Sequence, residues 1–144
     1  MRAPSLTWYV QRVDETLTEQ VRTAMPYAAT LGLELIGASK EEVHAALDWD
    51  ERLTTAAGIL HGGVLMGLAD TAWAYCAFLN LPEGSTATAT IESKTNFFSA
   101  VRSGRVEARS RPLHRGSRTI VVETDLFDEG GKHVARVTQT QAVL

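Results

Sequence analysis

Leu60-His61-Gly62-Gly63-Val64-Leu65-Met66-Gly67-Leu68-Ala69-Asp70-Thr71-Ala72-Trp73 is the stretch on which the reading of this chain turns. The segment from Gly62 to Leu79 is apolar almost all round, which predicts a fully enclosed helix rather than a surface one. Asn80-Leu81-Pro82 stops it. Two glycines in the first turn let a substrate approach backbone N–H groups that no intrahelical carbonyl occupies, and the helix dipole adds partial positive charge at that end. Such an end can stabilise an oxyanion. Asp70 is the oddity, because an ionised carboxylate in an apolar helix costs several kcal/mol in lost hydration unless it is paired or wet. It is a candidate catalytic acid, although a mid-helix Asp can also simply bond a neighbouring donor or reach solvent at an interface. His61, just before the helix, reads as a capping or loop residue and lacks the paired spacing of metal ligands. No metal site is expected. Cys76 has no neighbouring His or cation in sequence and reads as a small buried hydrophobe.

Working outward, the residues before the helix carry two periodicities. Val13, Leu17, Val21 and Ala24 recur at helical spacing within 11–30, with Pro26 interrupting or ending that helix, so a peripheral N-terminal helix is predicted. Leu31 to Ile36 and Val43 to Trp49 alternate as strands, with Val43, Ala45, Leu47 and Trp49 on one face and His44, Ala46 and Asp48 on the other. Beyond Gly84 the period is two: Ala87 to Phe98, Gly104 to Arg111, Ser117 to Phe127 and Lys132 to Val143 all read as strands. Asp128-Glu129-Gly130-Gly131 is a hairpin turn. The layout is α+β, an antiparallel sheet wrapped around one long helix. One sheet leaves part of that helix and an edge strand uncovered, so the architecture predicts a dimer.

The chain of 144 residues carries one domain's worth of sequence, with 44% hydrophobic and 22% charged residues, and reads as a single folded unit. Its net charge of −3 argues against nucleic acid as a partner. The longest apolar tract, 59–81, contains His61, Asp70 and three glycines, so a core helix is preferred over a membrane span. One cysteine and no basic-then-apolar leader point to a reducing cytoplasm. Between Lys94 and Arg118 stand Arg102, Arg105, Arg109, Arg111 and Arg115 with a single acid, Glu107, a basic span on which an anion can dock unless the arginines are only a solvated face.

His61-Gly62-Gly63 followed by Asp70, set in Leu68-Ala69-Asp70-Thr71-Ala72, resembles the hotdog-fold acyl-CoA thioesterases of the phenylacetate-pathway (PaaI-like) group. Thr90-Ile91-Glu92-Ser93-Lys94-Thr95-Asn96-Phe97-Phe98 resembles that family's strand after the helix. Pro112 to Arg118 and Phe127 to Lys132 resemble its last hairpins. The resemblance covers roughly residues 30–144, leaving 1–30 as a helical extension and 31–144 as a single hotdog domain.

What the resemblance implies is hydrolysis of an aryl or short- to medium-chain acyl-CoA to a free acid and CoA, without a cofactor. The Gly62 N–H would polarise the thioester carbonyl, with Gly63 beside it. Asp70 would attack that carbonyl or activate water, and the Thr90 hydroxyl, or failing it Thr88, would position the water. His61 would hold the loop. Thr55 stands where many relatives carry Asn or Gln, with a side chain too short to be a sure second donor. Arg115, Ser117 and Arg118 become candidates for the phosphates of CoA. A hotdog hydratase or dehydratase is the alternative reaction, and a non-enzymatic acyl-CoA sensor the alternative class. Because Gly62 and Asp70 lie about 12 Å apart on one helix, one chain can hardly supply both groups to one thioester. The sites are therefore expected to be shared across a homodimer, with a dimer of dimers left open. Trp73, Tyr75, Phe78, Phe97 and Phe98 read first as core and second as a lining for the acyl group.

Overall fold

A computed structural model describes residues 12–144. The chain order is α1 (Glu15–Ala24), α2 (Pro26–Leu31), β1 (Glu34–Ala38), β2 (Val43–Asp48), α3 (Gly62–Leu79), β3 (Thr88–Phe97), β4 (Arg105–Arg115), β5 (Thr119–Asp128) and β6 (His133–Val143), with short 3-10 turns at 51–53 and 56–58. The six strands form one antiparallel sheet in the order β1-β2-β4-β5-β6-β3. Helix α3 lies on one face of it, chiefly against β2, β4 and β5. The α+β layout read from the periodicities is the one observed.

The N-terminal helix is two helices. Asp14 caps α1 by accepting a hydrogen bond from Leu17 N–H at 2.9 Å, and Pro26 opens α2 at a position where a missing N–H costs nothing. The predicted start at residue 11, and the extension before it, lie outside the described residues. Leu31, expected to begin a strand, instead ends α2, and Gly32 turns the chain with φ 68°, so β1 starts later. Gly67 of α3 accommodates this close pair of helices, since a Cβ there would stand 3.0 Å from both Leu31 and Tyr27 side chains.

Three further expectations are corrected. The alternation in β2 predicts a one-sided strand, but His44 and Ala46 are buried along with Val43, Ala45 and Leu47, and His44 pairs with Glu107 of β4 at 2.9 Å. Strand β4, expected to end at Arg111, runs on to Arg115, with a bulge between Pro112 and His114 accommodating the proline. Most consequentially, α3 is not enclosed all round. Leu65, Leu68, Ala69, Ala72, Trp73 and Cys76 are buried, whereas Met66, Asp70 and Phe78 are exposed along the other side. The average apolarity of the segment concealed a stripe that the sheet does not reach. Of the described helices, α3 is long and apolar enough to cross a membrane, yet half of it is buried inside this fold.

The same side of the molecule leaves β3 bare. It is an edge strand with nearly every residue exposed, including Ile91 at 60% and Phe97 at 51%. The Asp128-to-Gly131 turn forms as predicted. Asp128 Oδ1 accepts from Gly130 N–H at 3.0 Å and Lys132 N–H at 2.9 Å, and Gly131 takes φ 82°.

Candidate active site

The start of α3 is held in place by its loop before any side chain acts. Leu60 N–H donates to Val101 O at 2.8 Å and His61 N–H to Leu53 O at 2.9 Å. His61 is the N-cap: its Nδ1 accepts from Gly63 N–H at 2.8 Å, which in the neutral ring places the proton on Nε2. The Gly62 N–H, one residue earlier, belongs to the first turn and has no intrahelical acceptor. Side chains approach both glycines closely. A Cβ on Gly62 would lie 3.1 Å from Phe97 Cζ, and one on Gly63 would lie 2.9 Å from His61 Nδ1.

Gly62 opens into a cleft of about 330 Å³ whose walls include Thr55, Leu60, Leu65, Phe97 and Phe98. Thr55 is thus brought beside Gly62 by the fold. On the other side of the helix start, His61 and Gly63 border a second cleft of about 390 Å³ against Tyr27, Leu31 and Arg52. Phe97 and Phe98 are 51% and 57% exposed, and Phe78 is 55% exposed, so the reading of these rings as plain core is corrected. Trp73 is buried.

Asp70 stands two turns further along the same unbroken helix, about 12 Å from Gly62 at 1.5 Å per residue. Its residue is exposed, so the expected burial penalty does not arise in this chain. Its Oδ1 accepts two hydrogen bonds, from Trp73 Nε1 at 3.0 Å and from Gln139 Nε2 at 3.2 Å. The Trp73 contact spans one helical turn and could have been found from spacing alone. Gln139 could not, because it arrives from β6, far away in sequence.

Thr90 is tied to the same strand. Gln141 Nε2 donates to Thr90 Oγ1 at 2.9 Å, and Gln141 and Gln139 share one face of β6, roughly 7 Å apart. Thr90 therefore neighbours the Asp70 region, while Thr88, opposite Val143, lies a further step away. Ser93, which sequence reasoning passed over, stands directly across from Gln139 in the register.

The basic span is not one docking surface. Arg105 is paired with Glu34 and Asp48, Arg111 with Glu42 at 2.6 Å, and Arg102 donates to Ala57 O at 3.2 Å. These three arginines are committed to the fold's own carboxylates and loops. Arg115 donates to Lys40 O at 2.9 Å, an oxygen it shares with Asn80 at the C-terminal end of α3. Arg115, and with it the turn carrying Ser117 and Arg118, is at the opposite end of the helix from Gly62 within one chain. Cys76 is buried beneath this region, and burial pushes its thiol up to about 11, which keeps it unreactive.

A helix laid across an antiparallel sheet, with a glycine-opened N-terminus and an acid two turns on, defines a hotdog fold of the thioesterase kind. The chain belongs to the thioesterase superfamily, whose model matches residues 57–135. It is a thioester hydrolase. It is 32% identical over 104 residues to the 1,4-dihydroxy-2-naphthoyl-CoA hydrolase of Escherichia coli, covering 72% of this chain and 76% of that one. The crystal structure of a mutant of thioesterase PA1618 from Pseudomonas aeruginosa superposes with a TM-score of 0.81 at 27% identity, covering 88% of this chain and 93% of that chain. A mutant of the phenylacetic acid degradation protein PaaI from Thermus thermophilus does so with a TM-score of 0.76 at 28% identity, over 83% and 99% of the two chains.

Proposed function

We propose that the protein hydrolyses an acyl-CoA thioester, with an aryl or short- to medium-chain acyl group, at sites shared between the two subunits of a homodimer. The observation that carries this reading is the placement of Gly62 and Asp70 on one unbroken helix, along a stripe that the sheet leaves open. A reacting group must lie about 3 Å from the carbonyl carbon, which two groups about 12 Å apart cannot both satisfy in one chain. Two α3 helices packed antiparallel through their open stripes would put Gly62 of one subunit beside the partner's Asp70. The bare edge of β3 would pair with its copy in the same assembly. A reducing cytoplasm suits the single buried thiol.

In such a site the thioester oxygen sits at the Gly62 N–H, where the helix dipole adds to the hydrogen bond. Acting as a base, Asp70 takes a proton from water as the water oxygen bonds to the carbonyl carbon. The carbon–sulfur bond then breaks, and CoA leaves as the thiolate and regains a proton. Acting as a nucleophile, Asp70 bonds to the carbon itself, the carbon–sulfur bond breaks to release CoA as the thiolate, which regains a proton, and water cleaves the resulting anhydride to the free acid and the Asp70 carboxylate. Thr90 is the hydroxyl that orients the water. The antiparallel pairing also carries the turn with Arg115, Ser117 and Arg118 of each subunit toward the Gly62 end of the other, where the CoA phosphates would meet it.

Complementation tests the shared site. Asp70→Asn in one chain and Gly62→Pro in another give two inactive homodimers; proline is compatible with a first helical turn and Gly62 does not have positive φ. A mixed dimer has one site with both lesions and one with neither. Mixing under conditions of subunit exchange should restore turnover toward half of the wild-type value per mixed dimer. Exchange without recovered turnover rules out the shared site.

A further inference from the structure

Asp70 receives both of its hydrogen bonds on one oxygen. Trp73 reaches Oδ1 from one turn further along α3 and Gln139 reaches it from β6, and each donor residue is only 1% exposed. Among the described residues Oδ2 accepts none. Two donors from two different elements fix the plane of the carboxylate, so the oxygen that is left is presented in one direction.

Gln139 holds this arrangement at the expense of its other end. Its Oε1 is buried and meets no donor among the described residues. The amide orientation is set by the carboxylate, since turning it over would face oxygen to oxygen. An unmet buried acceptor is destabilising, and a thioether or an alkyl chain would fill the same space without that cost. A buried residue that weakens the core while holding the reactive group has a function other than packing.

We infer that Trp73 and Gln139 are positioning residues of the thioester hydrolysis, holding Asp70 by Oδ1 so that Oδ2 is the oxygen that meets the thioester or the attacking water. This rests on the reading of Asp70 given above. The indole N–H and the amide N–H are the active parts of the two side chains. Their rings and methylenes only fill space.

The test follows CoA thiol release from benzoyl-CoA and hexanoyl-CoA by the full-length protein, with thermal unfolding measured in parallel. Trp73→Phe and Gln139→Met should each lower kcat about tenfold with KM within about twofold, as expected when a reacting group is misoriented while substrate binding stays intact. The Tm of Gln139→Met should equal or exceed that of the wild type. In an Asp70→Asn background neither substitution should reduce the residual turnover further, because both act through the carboxylate. An unchanged kcat in folded Gln139→Met overturns the inference. So does a loss of kcat that tracks a falling Tm, or a further loss in the Asp70→Asn background. Should Trp73→Phe fail to fold, Gln139→Met decides alone. These outcomes leave the role of Asp70 intact, whereas wild-type turnover by folded Asp70→Asn removes that role and the inference with it.

Discussion

The two edges of the sheet end differently. At β1 the edge is finished by α1: Thr18 Oγ1 accepts from Leu35 N–H at 2.9 Å, Asp14 N–H donates to Leu35 O at 2.9 Å, and Arg22 Nε donates to Leu33 O at 2.8 Å. At β3 no described helix covers the edge, and Ile91 and Phe97 stand in the open next to the exposed stripe of α3. An uncovered edge strand is normally blunted by charge, proline or a covering element, because its unpaired groups invite association. Here the covered edge carries only structure. The open one borders Gly62, through Phe97, and Asp70, through the neighbouring strand β6. On the proposed reading, the open side is the one that reacts.

Substitutions on the two sides should separate these roles. The largest effect is expected on the open side: Asp70→Asn keeps size and removes the charge, and should lower kcat by roughly 10² or more with the fold retained. Steady-state kinetics and circular dichroism on one preparation check this. A charge on the bare strand comes next. Ile91→Lys should shift the protein toward monomer in sedimentation and cut specific activity about tenfold at low protein concentration, with recovery as concentration rises. Concentration-independent wild-type activity in a monomeric Ile91→Lys protein would break the link between the open edge and catalysis.

The finished side should respond in stability alone. Thr18→Val leaves Leu35 N–H without its acceptor and should cost about 1–3 kcal/mol in denaturant unfolding, with kcat and oligomeric state unchanged. The smallest effect concerns His44, on the strand next to β1. Burial holds its ring below the usual value of 6.5, against the opposing pull of the Glu107 bond. A lowered folded pKa means that the unfolded chain takes up the proton first. The contribution is therefore full above about pH 6.5 and declines as pH falls from there. Tm should fall between about pH 7.5 and about pH 5.5, and His44→Gln should flatten that slope. A slope unchanged by the substitution would assign the pH dependence in this range to groups other than His44; Asp125 acts only at lower pH. Burial alone would raise the Asp125 carboxyl, but its bonds to Arg136 and its contact with His133 outweigh this and hold it below 3.8.

The features that could be read before folding are those written along one element. The helix limits at Gly62 and Leu79, the His61 cap, the spacing of Gly62 and Asp70 and the turn at Asp128 each depend on neighbours a few residues apart. Helical rise and turn chemistry convert such spacings directly into geometry.

Tertiary structure decided what faces what. That Gln139 meets Asp70, that Phe97 lies on Gly62, and that Arg105 and Arg111 are taken up by Glu34 and Glu42 all follow from strand registers linking residues far apart in sequence. A one-residue shift of any register would turn each of those side chains to the other face of the sheet. The exposed stripe on α3 has the same origin. Met66 and Phe78 are as apolar as their buried neighbours, and only the position of the sheet, which covers one side of the helix, tells them apart.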